Sequence, residues 1–133
     1  MTTRRAQCSC GQLRVTCDGE PAKVSLCNCN ECRRRTGSAF GIAAFYPREK
    51  IAVEGSASKF RRNSDSGFPV LFHFCPACGS SVYWEPQRKP DMIAIAAGAF
   101  ADPNYPMPEQ SVSDELRHAW IIFPDSMATR TST

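Results

Sequence analysis

The pattern of apolar and polar positions predicts a series of short strands rather than long helices. In "QLRVTC", Leu13, Val15 and Cys17 alternate with polar residues, which is the period of a half-buried strand. A second short strand is predicted at "AKVSL". The apolar run "AFGIAAFY" suits a buried strand that stops at Pro47.

The rest of the chain continues in the same manner. "KIAVEG" and "ASKFRR" predict short strands around Gly55, and "PVLFHFCPACGSSVYWEP" predicts two strands joined by a cysteine-containing turn. "DMIAIAAGAF" indicates another strand, whereas the three prolines of "ADPNYPMPEQ" indicate a surface loop. We expect "LRHAWIIF" to close the sheet and the polar tail from Asp125 to Thr133 to be frayed.

One segment has helical character. "NECRRRT" can form two helical turns that end at Gly37. With no repeat or linker in the pattern, we predict a single domain over residues 1–133, with a core from about 8 to 123. The predicted fold class is mainly β, with one short helix beside a cluster of cysteines.

Composition indicates the class of protein, its cellular compartment and the role of its cysteines. The 133 residues are 42% hydrophobic and 22% charged, enough for an independent core. No run approaches the roughly 20 apolar residues needed to span a bilayer, and "MTTRRAQCSCG" contains no apolar signal segment. We therefore expect a cytoplasmic protein, and eight cysteines in a reducing compartment indicate metal binding or catalysis rather than disulfides.

The cysteines fall into groups whose spacing suits metal ligation. "CPACG" contributes Cys75 and Cys78 on a tight turn that can supply half of a tetrahedral Zn²⁺ shell. "CSCG", with Cys8 and Cys10, can provide the other half. Such a closed site of four cysteines would join the first strand to a later hairpin and contribute much of the stability.

The cluster "CNCNEC" supplies three further thiols, Cys27, Cys29 and Cys32. Three protein ligands with one open position are typical of a catalytic zinc site, whereas four ligands indicate a structural one. Cys17 is the open alternative as a fourth ligand, although it shares a strand face with Leu13 and is interpreted as a packed apolar residue.

Three thiolates favour sulfur chemistry over hydrolysis. Three thiolates and one Zn²⁺ form a complex whose formal charge is negative. Such a complex generates hydroxide from bound water poorly, but it can hold a substrate sulfur as thiolate. Arg33, Arg34 and Arg35 follow the cluster and fan around the helix, so one or two of them could pair with substrate carboxylates. A solvated helix surface is the alternative interpretation of each arginine.

These motifs resemble the glutathione-dependent formaldehyde-activating enzyme family, which also includes centromere protein V. The resemblance is carried by "CSCGQLRVTC", "CNCNECRRRTGSAF" and "HFCPACGSSVYW", and it runs from about Cys8 to Phe123. It implies a β-tent fold, a small zinc-stapled arrangement of antiparallel sheets. It also implies two Zn²⁺ per chain, a structural one on Cys8, Cys10, Cys75 and Cys78 and a catalytic one on Cys27, Cys29 and Cys32.

The activity that the resemblance implies is that of a carbon-sulfur lyase, which joins glutathione and formaldehyde as S-hydroxymethylglutathione or separates them. Arg33 and Arg34 are the predicted substrate-binding residues. His118 is the candidate acid or base, with His73 considered beside it, and a hydrogen-bonded core or surface role is the alternative for both.

Two other classes of function compete with the lyase. The first is a zinc-stabilised binding module without turnover. The second is nucleic-acid binding through "RRR" and "FRR", which the scattered basic residues disfavour. The formal net charge of +3 disappears once seven cysteines ionise around two Zn²⁺, so no nucleic-acid partner is expected. The expected partner is a small thiol such as glutathione.

Overall fold

The computed structural model describes residues 2–63 and 67–132. These residues form eleven strands and one α-helix: β1 Thr3–Gln7, β2 Arg14–Asp18, β3 Lys23–Cys27, α1 Asn30–Thr36, β4 Gly41–Pro47, β5 Ile51–Glu54, β6 Ser58–Asn63, β7 Pro69–Phe74, β8 Ser81–Pro86, β9 Met92–Ala96, β10 Gln110–Val112 and β11 Ala128–Arg130. Short 3₁₀ turns lie at Arg48–Lys50, Ala97–Phe100 and Asp114–Leu116. The expected mainly β class with one short helix is confirmed.

The strands form two sheets. The smaller sheet has the order β1-β2-β5 and is antiparallel. The larger has the order β11-β10-β3-β4-β9-β8-β7-β6. Its β10 runs parallel to both β3 and β11, so this sheet is mixed rather than purely antiparallel as the family resemblance implies.

The main core lies between one face of the large sheet and the small sheet. The alternation predicted in β2 is confirmed, because Leu13, Val15 and Cys17 are all fully buried. They pack in one cluster with Tyr46 of β4 and Ile95 of β9. Burial of these apolar side chains is the main force that holds the sheets together.

The opposite face of the large sheet carries a smaller cluster, formed by Phe72, Trp84 and Ala94. Phe72 pairs with Trp84, and Trp84 pairs with Ala94, across three adjacent strands. Residues directly opposite one another in a sheet share a face, which is why these three side chains meet. The guanidinium groups of Arg35 and Arg62 lie over the rings of this cluster.

Helix α1 begins and ends at residues that the sequence predicts. Its N-cap is Cys29, whose Sγ accepts a hydrogen bond from the Cys32 N–H at 3.3 Å. Its C-cap is Gly37, in the left-handed conformation at φ 65°, where a residue without Cβ is favoured. None of the helix residues is fully buried, so polar and ionic contacts fix its position.

The prediction for the C-terminal region is wrong. "LRHAWIIF" forms no strand: Trp120 is 75% exposed and Ile122 is 89% exposed. The edge strand β11 instead lies in the tail that was expected to be frayed, and its three residues are exposed. Backbone pairing with β10 holds this strand without requiring apolar side chains. Thr133 lies outside the described residues.

Candidate functional site

Two clusters of cysteine sulfurs occupy different parts of the fold. The first brings together Cys8, Cys10, Cys75 and Cys78, whose sulfurs all lie within 4.8 Å of one another. Cys10 Sγ is 3.6 Å from both Cys8 Sγ and Cys75 Sγ. Tetrahedral Zn²⁺ with bonds of about 2.3 Å requires sulfur separations of about 3.8 Å, so this arrangement fits such an ion closely.

Backbone N–H groups point toward these sulfurs on both turns. Leu13 N–H donates to Cys8 Sγ at 3.3 Å, and the N–H groups of Ala77 and Cys78 donate to Cys75 Sγ at 3.4 Å. Gln12 Nε2 donates to the same sulfur at 3.0 Å and lowers the pKa of Cys75. These donors favour the thiolate form, which is the form that ligates metal.

The second cluster is built from one short stretch of chain. Cys27 ends β3, Cys29 caps α1, and Cys32 lies in its first turn; their sulfurs also lie within 4.8 Å of one another. Hydrogen bonds from the Cys27 and Cys32 thiols hold the pKa of Cys29 well below its usual range. In the described part of the chain, no fourth cysteine, histidine or carboxylate joins this group.

Asn28, between two of these cysteines, fixes the loop that carries them. Its side chain is fully buried, and Nδ2 donates to Ser111 Oγ at 2.8 Å and to the Val112 carbonyl at 2.9 Å. Ser111 Oγ in turn donates to Asp114 Oδ1 at 2.8 Å. Nothing in the local sequence marks Asn28 as a residue that fixes this loop, because its partners lie more than 80 residues away.

Cys17 lies apart from both sulfur clusters, in the main core between the sheets. Burial raises the pKa of its thiol to about 12, so it stays protonated at neutral pH. This placement agrees with its interpretation as a packed apolar residue.

The three consecutive arginines make different contacts in the structure. Arg33 donates to the Leu116 carbonyl at 2.6 Å and to Asn30 Oδ1 at 2.7 Å, which ties α1 to the chain after β10. Arg34 is exposed and forms an ion pair with Glu31 at 3.0 Å. Both predicted substrate-binding arginines therefore already have partners within the protein.

Arg35 differs from its two neighbours. Its guanidinium lies over the rings of Trp84 at 4.3 Å and Phe72 at 5.5 Å, and it contacts Cys32. Burial lowers its pKa, and its Nε is buried without a hydrogen-bond partner. Sequence reasoning grouped Arg35 with the other arginines but did not select it, since Trp84 lies on a distant strand.

Arg62 of β6 adds a second cation beside Arg35, and sequence reasoning missed it. Its guanidinium lies over the Phe72 ring of the same cluster, 4.8 Å from the ring centre, and its charge acts on Cys29. A weak ion pair of 3.8 Å links it to Glu31. Glu31 thus faces two arginines and acts as a counter-ion.

Two cavities meet at Arg35 and Ser81. Neither is lined by a cysteine of the described structure, and Arg35, which contacts Cys32, links both to the three-cysteine cluster. The first, of about 430 Å³, is lined by three phenylalanines, Phe60, Phe72 and Phe74, and by four charged residues, Glu31, Arg34, Arg35 and Arg62. The second, of about 490 Å³, is more polar, and its lining includes the serines and glycines Ser38, Gly41, Gly79, Ser80 and Gly98. A ligand at the cluster could therefore extend in two directions of different character.

Neither histidine lines these two cavities in the described structure. His118 is exposed and stacks on Trp120 with 5.7 Å between ring centres. His73 is buried against Tyr83, and its Nε2 lies 2.7 Å from Glu85 Oε2. His73 accordingly has the hydrogen-bonded core role that was the alternative to proton transfer.

The arrangement of the two sulfur clusters can be compared with known proteins. A family model described as "Glutathione-dependent formaldehyde-activating enzyme" matches residues 3–116. The chain belongs to this family. The match covers both cysteine clusters and all of the arginines discussed above, but it ends two residues before His118.

The individual relatives share less than 30% sequence identity with this chain. A candidate glutathione-dependent formaldehyde-activating enzyme from Penicillium rubens is 28% identical over 79 residues, which are 59% of this chain and 41% of that protein. The chain thus spans about two fifths of the length of this relative. A crystal structure of a Rhodobacter sphaeroides protein superposes with a TM-score of 0.55 at 20% identity, over 71% of this chain and 85% of the other, and shows a shared fold.

The described helices include none long and apolar enough to cross a membrane.

Proposed function

We propose that this protein is a zinc-dependent carbon-sulfur lyase that acts on adducts of a small thiol of the glutathione type. Membership of the formaldehyde-activating family supports the reaction class. The single observation that carries the proposal is the three-cysteine cluster without a fourth protein ligand in the described residues, beside an arginine that lacks a carboxylate partner.

Both clusters have the donor set of a zinc site. Four thiolates on two turns suit a structural ion, held by Cys8, Cys10, Cys75 and Cys78. Three thiolates suit a second ion, held by Cys27, Cys29 and Cys32, that retains a position for an outside ligand. Zinc bound there would supply the positive charge that keeps a substrate sulfur in its thiolate form.

The reaction needs no oxidant or reductant. In S-hydroxymethylglutathione, the C–S bond breaks and its electron pair stays on sulfur, while the hydroxyl loses its proton and becomes the carbonyl of formaldehyde. The reverse direction joins the same atoms. Since His118 is exposed, stacks on Trp120 and lines neither cavity, we assign the proton exchange to solvent instead of His118.

Arg35 is the residue that we assign to the substrate carboxylate. Arg33 is bound to the Leu116 carbonyl and Arg34 to Glu31, whereas Arg35 borders both cavities and has an Nε without a hydrogen-bond partner. A guanidinium held flat on Trp84 is already oriented for a bidentate pair, so little conformational entropy is lost on binding. Arg34 remains a weaker, exposed contributor at the rim of the first cavity.

The test follows exchange between glutathione plus formaldehyde and the hydroxymethyl adduct by NMR. The zinc-loaded protein should accelerate exchange above the uncatalysed background, and Cys29→Ala should return it to that background while the four-cysteine site stays intact. Calorimetry with glutathione should show binding that is lost in the same variant. Exchange at the background rate, together with no thiol binding, would eliminate the lyase and leave a zinc-stabilised binding module.

A further inference from the structure

The cavity walled by phenylalanines is much larger and more apolar than a hydroxymethyl group requires. Phe60, Phe72 and Phe74 surround a space of about 430 Å³, whereas the formaldehyde-derived part of the adduct contains one carbon and one oxygen. A tripeptide of glutamate, cysteine and glycine has no apolar side chain for this space. The three phenylalanine rings of this cavity therefore offer more apolar surface than either product of the formaldehyde reaction can cover.

The charges around this cavity do not change that conclusion. Arg34 and Arg62 both face Glu31, with N–O distances of 3.0 and 3.8 Å, so their charge is partly compensated within the protein. Arg35 lies at the boundary with the second cavity and can bind a carboxylate from either side. The lining of the first cavity thus combines three phenylalanine rings with these charged groups, and Arg62 also has a buried Nε without a hydrogen-bond partner.

The second cavity has the opposite character. Its lining of small and polar residues, among them Thr36, Ser81 and Gly98, lets the backbone of a peptide approach closely, and it reaches the same Arg35. A thiol peptide lying there would place its carboxylate near Arg35 and its sulfur near Cys32, which Arg35 contacts. The group attached to that sulfur would then extend into the first cavity.

Exposure of Phe60 supports a ligand in this position. Phe60 lies on the edge strand β6 and is 58% exposed. Because exposed aromatic rings at a sheet edge favour aggregation, we expect a partner to cover this ring. A bound apolar group would cover part of this ring together with the half-buried Phe74. The two cavities, joined at Arg35 and Ser81, thus have the shape of a site for a two-part ligand.

We infer that the substrates of this protein are thiol adducts whose carbonyl-derived part is a bulky apolar group, aromatic or branched aliphatic, held in the cavity of Phe60, Phe72 and Phe74. The inference rests on the proposed lyase function and specifies its substrate class. The reaction keeps the same balance: the C–S bond breaks with its electrons on sulfur, the hydroxyl proton leaves, and a larger aldehyde is released in place of formaldehyde.

Binding of unreactive thioethers tests this inference separately from turnover. Isothermal titration of the zinc-loaded protein would compare S-benzylglutathione with S-methylglutathione, which share the peptide and differ only in the apolar group. We expect the benzyl compound to bind about tenfold more tightly or better, because its ring leaves water for an aromatic cavity. Phe60→Ala should reduce this preference several-fold, mainly through weaker binding of the benzyl compound.

The matched control is Met107→Ala, which truncates another exposed apolar side chain, 49% exposed, in the loop before β10. It should keep the full preference. Equal affinities for the two thioethers, or a preference that survives Phe60→Ala, would overturn the inference while leaving the lyase proposal in place if glutathione itself still binds. Absence of binding by glutathione and by both thioethers would overturn the two together.

Discussion

Gly41 offers a way to displace the Arg35 guanidinium without touching Arg35, the cysteines or the core. It starts β4 and pairs with Cys27 across the sheet. A Cβ built at this position would lie 2.7 Å from Arg35 Nη2 and 3.5 Å from Cys32 Cβ. Only the first approach is too close, and it involves the far end of a long side chain, which can shift over the Trp84 ring. Gly41→Ala should therefore move the guanidinium by at least 0.7 Å, the difference between 2.7 Å and an ordinary contact of 3.4 Å.

The expected effect on folding is small. Gly41 lies in a strand at an unstrained backbone conformation, where alanine is favoured over glycine by about 0.5–1 kcal/mol. This gain offsets the cost of moving Arg35. The thermal midpoint of the variant should stay within a few degrees of the wild type.

The effect on binding should be larger and selective. A displaced guanidinium would keep one of its two charge-assisted hydrogen bonds to a carboxylate, a loss of about 1.5 kcal/mol or roughly tenfold in affinity. Isothermal titration of the zinc-loaded variant should show this loss for glutathione and no change for 2-mercaptoethanol, which has no carboxylate.

A double-mutant cycle identifies the cause. If Gly41→Ala acts through Arg35, it should have no further effect in a protein that already carries Arg35→Gln. A full effect in that background would mean that the added methyl group obstructs the ligand directly, since Gly41 also lines the second cavity. Unchanged glutathione affinity in the single variant, or an equal loss for both thiols, would refute the role of Arg35.

Three further predictions concern stability and metal content. Cys75→Ser, or removal of metal with a chelator, should unfold much of the domain, and a melting temperature equal to that of the metal form would contradict the structural assignment. Cys17→Ala should cost about 1 kcal/mol of packing and leave two zinc ions per chain by elemental analysis, whereas loss of one ion would identify Cys17 as a ligand. Asn28→Ala, which removes hydrogen bonds to Ser111 and Val112, should lower the free energy of unfolding by about 1–3 kcal/mol in urea titrations, and an unchanged midpoint would contradict its role in fixing the loop.

Features set by local sequence could be predicted, and features set by distant partners could not. The alternation of Leu13, Val15 and Cys17 predicts strand β2 because a period of two places all three in the core. The end of α1 at Gly37 follows equally from local backbone preference. In contrast, the partners that distinguish Arg33 from Arg35 are Leu116 and Trp84, which only the fold brings near the helix.

The failure at "LRHAWIIF" has a related cause. An apolar run predicts a strand only if a sheet face is available to bury it, and here the large sheet ends instead with the short parallel pair β10 and β11. Three exposed residues suffice for β11 because its hydrogen bonds are made by backbone groups. The exposed Trp120 and Ile122 have no counterpart in the family match, which ends at residue 116.

The two cysteine clusters differ in what a metal at each could stabilise. The pairing of Cys10 with Cys75 crosses 65 positions of sequence and joins the start of the small sheet to the β7–β8 hairpin. Closing a loop of that length restricts the unfolded chain strongly, so metal there acts mainly on folding. The cluster from Cys27 to Cys32 spans six positions and closes no long loop, so metal there adds little to stability. Its cysteines are therefore not needed to close a long loop. We expect Cys29→Ala to remove this second site and the N-cap of α1 while the rest of the fold persists.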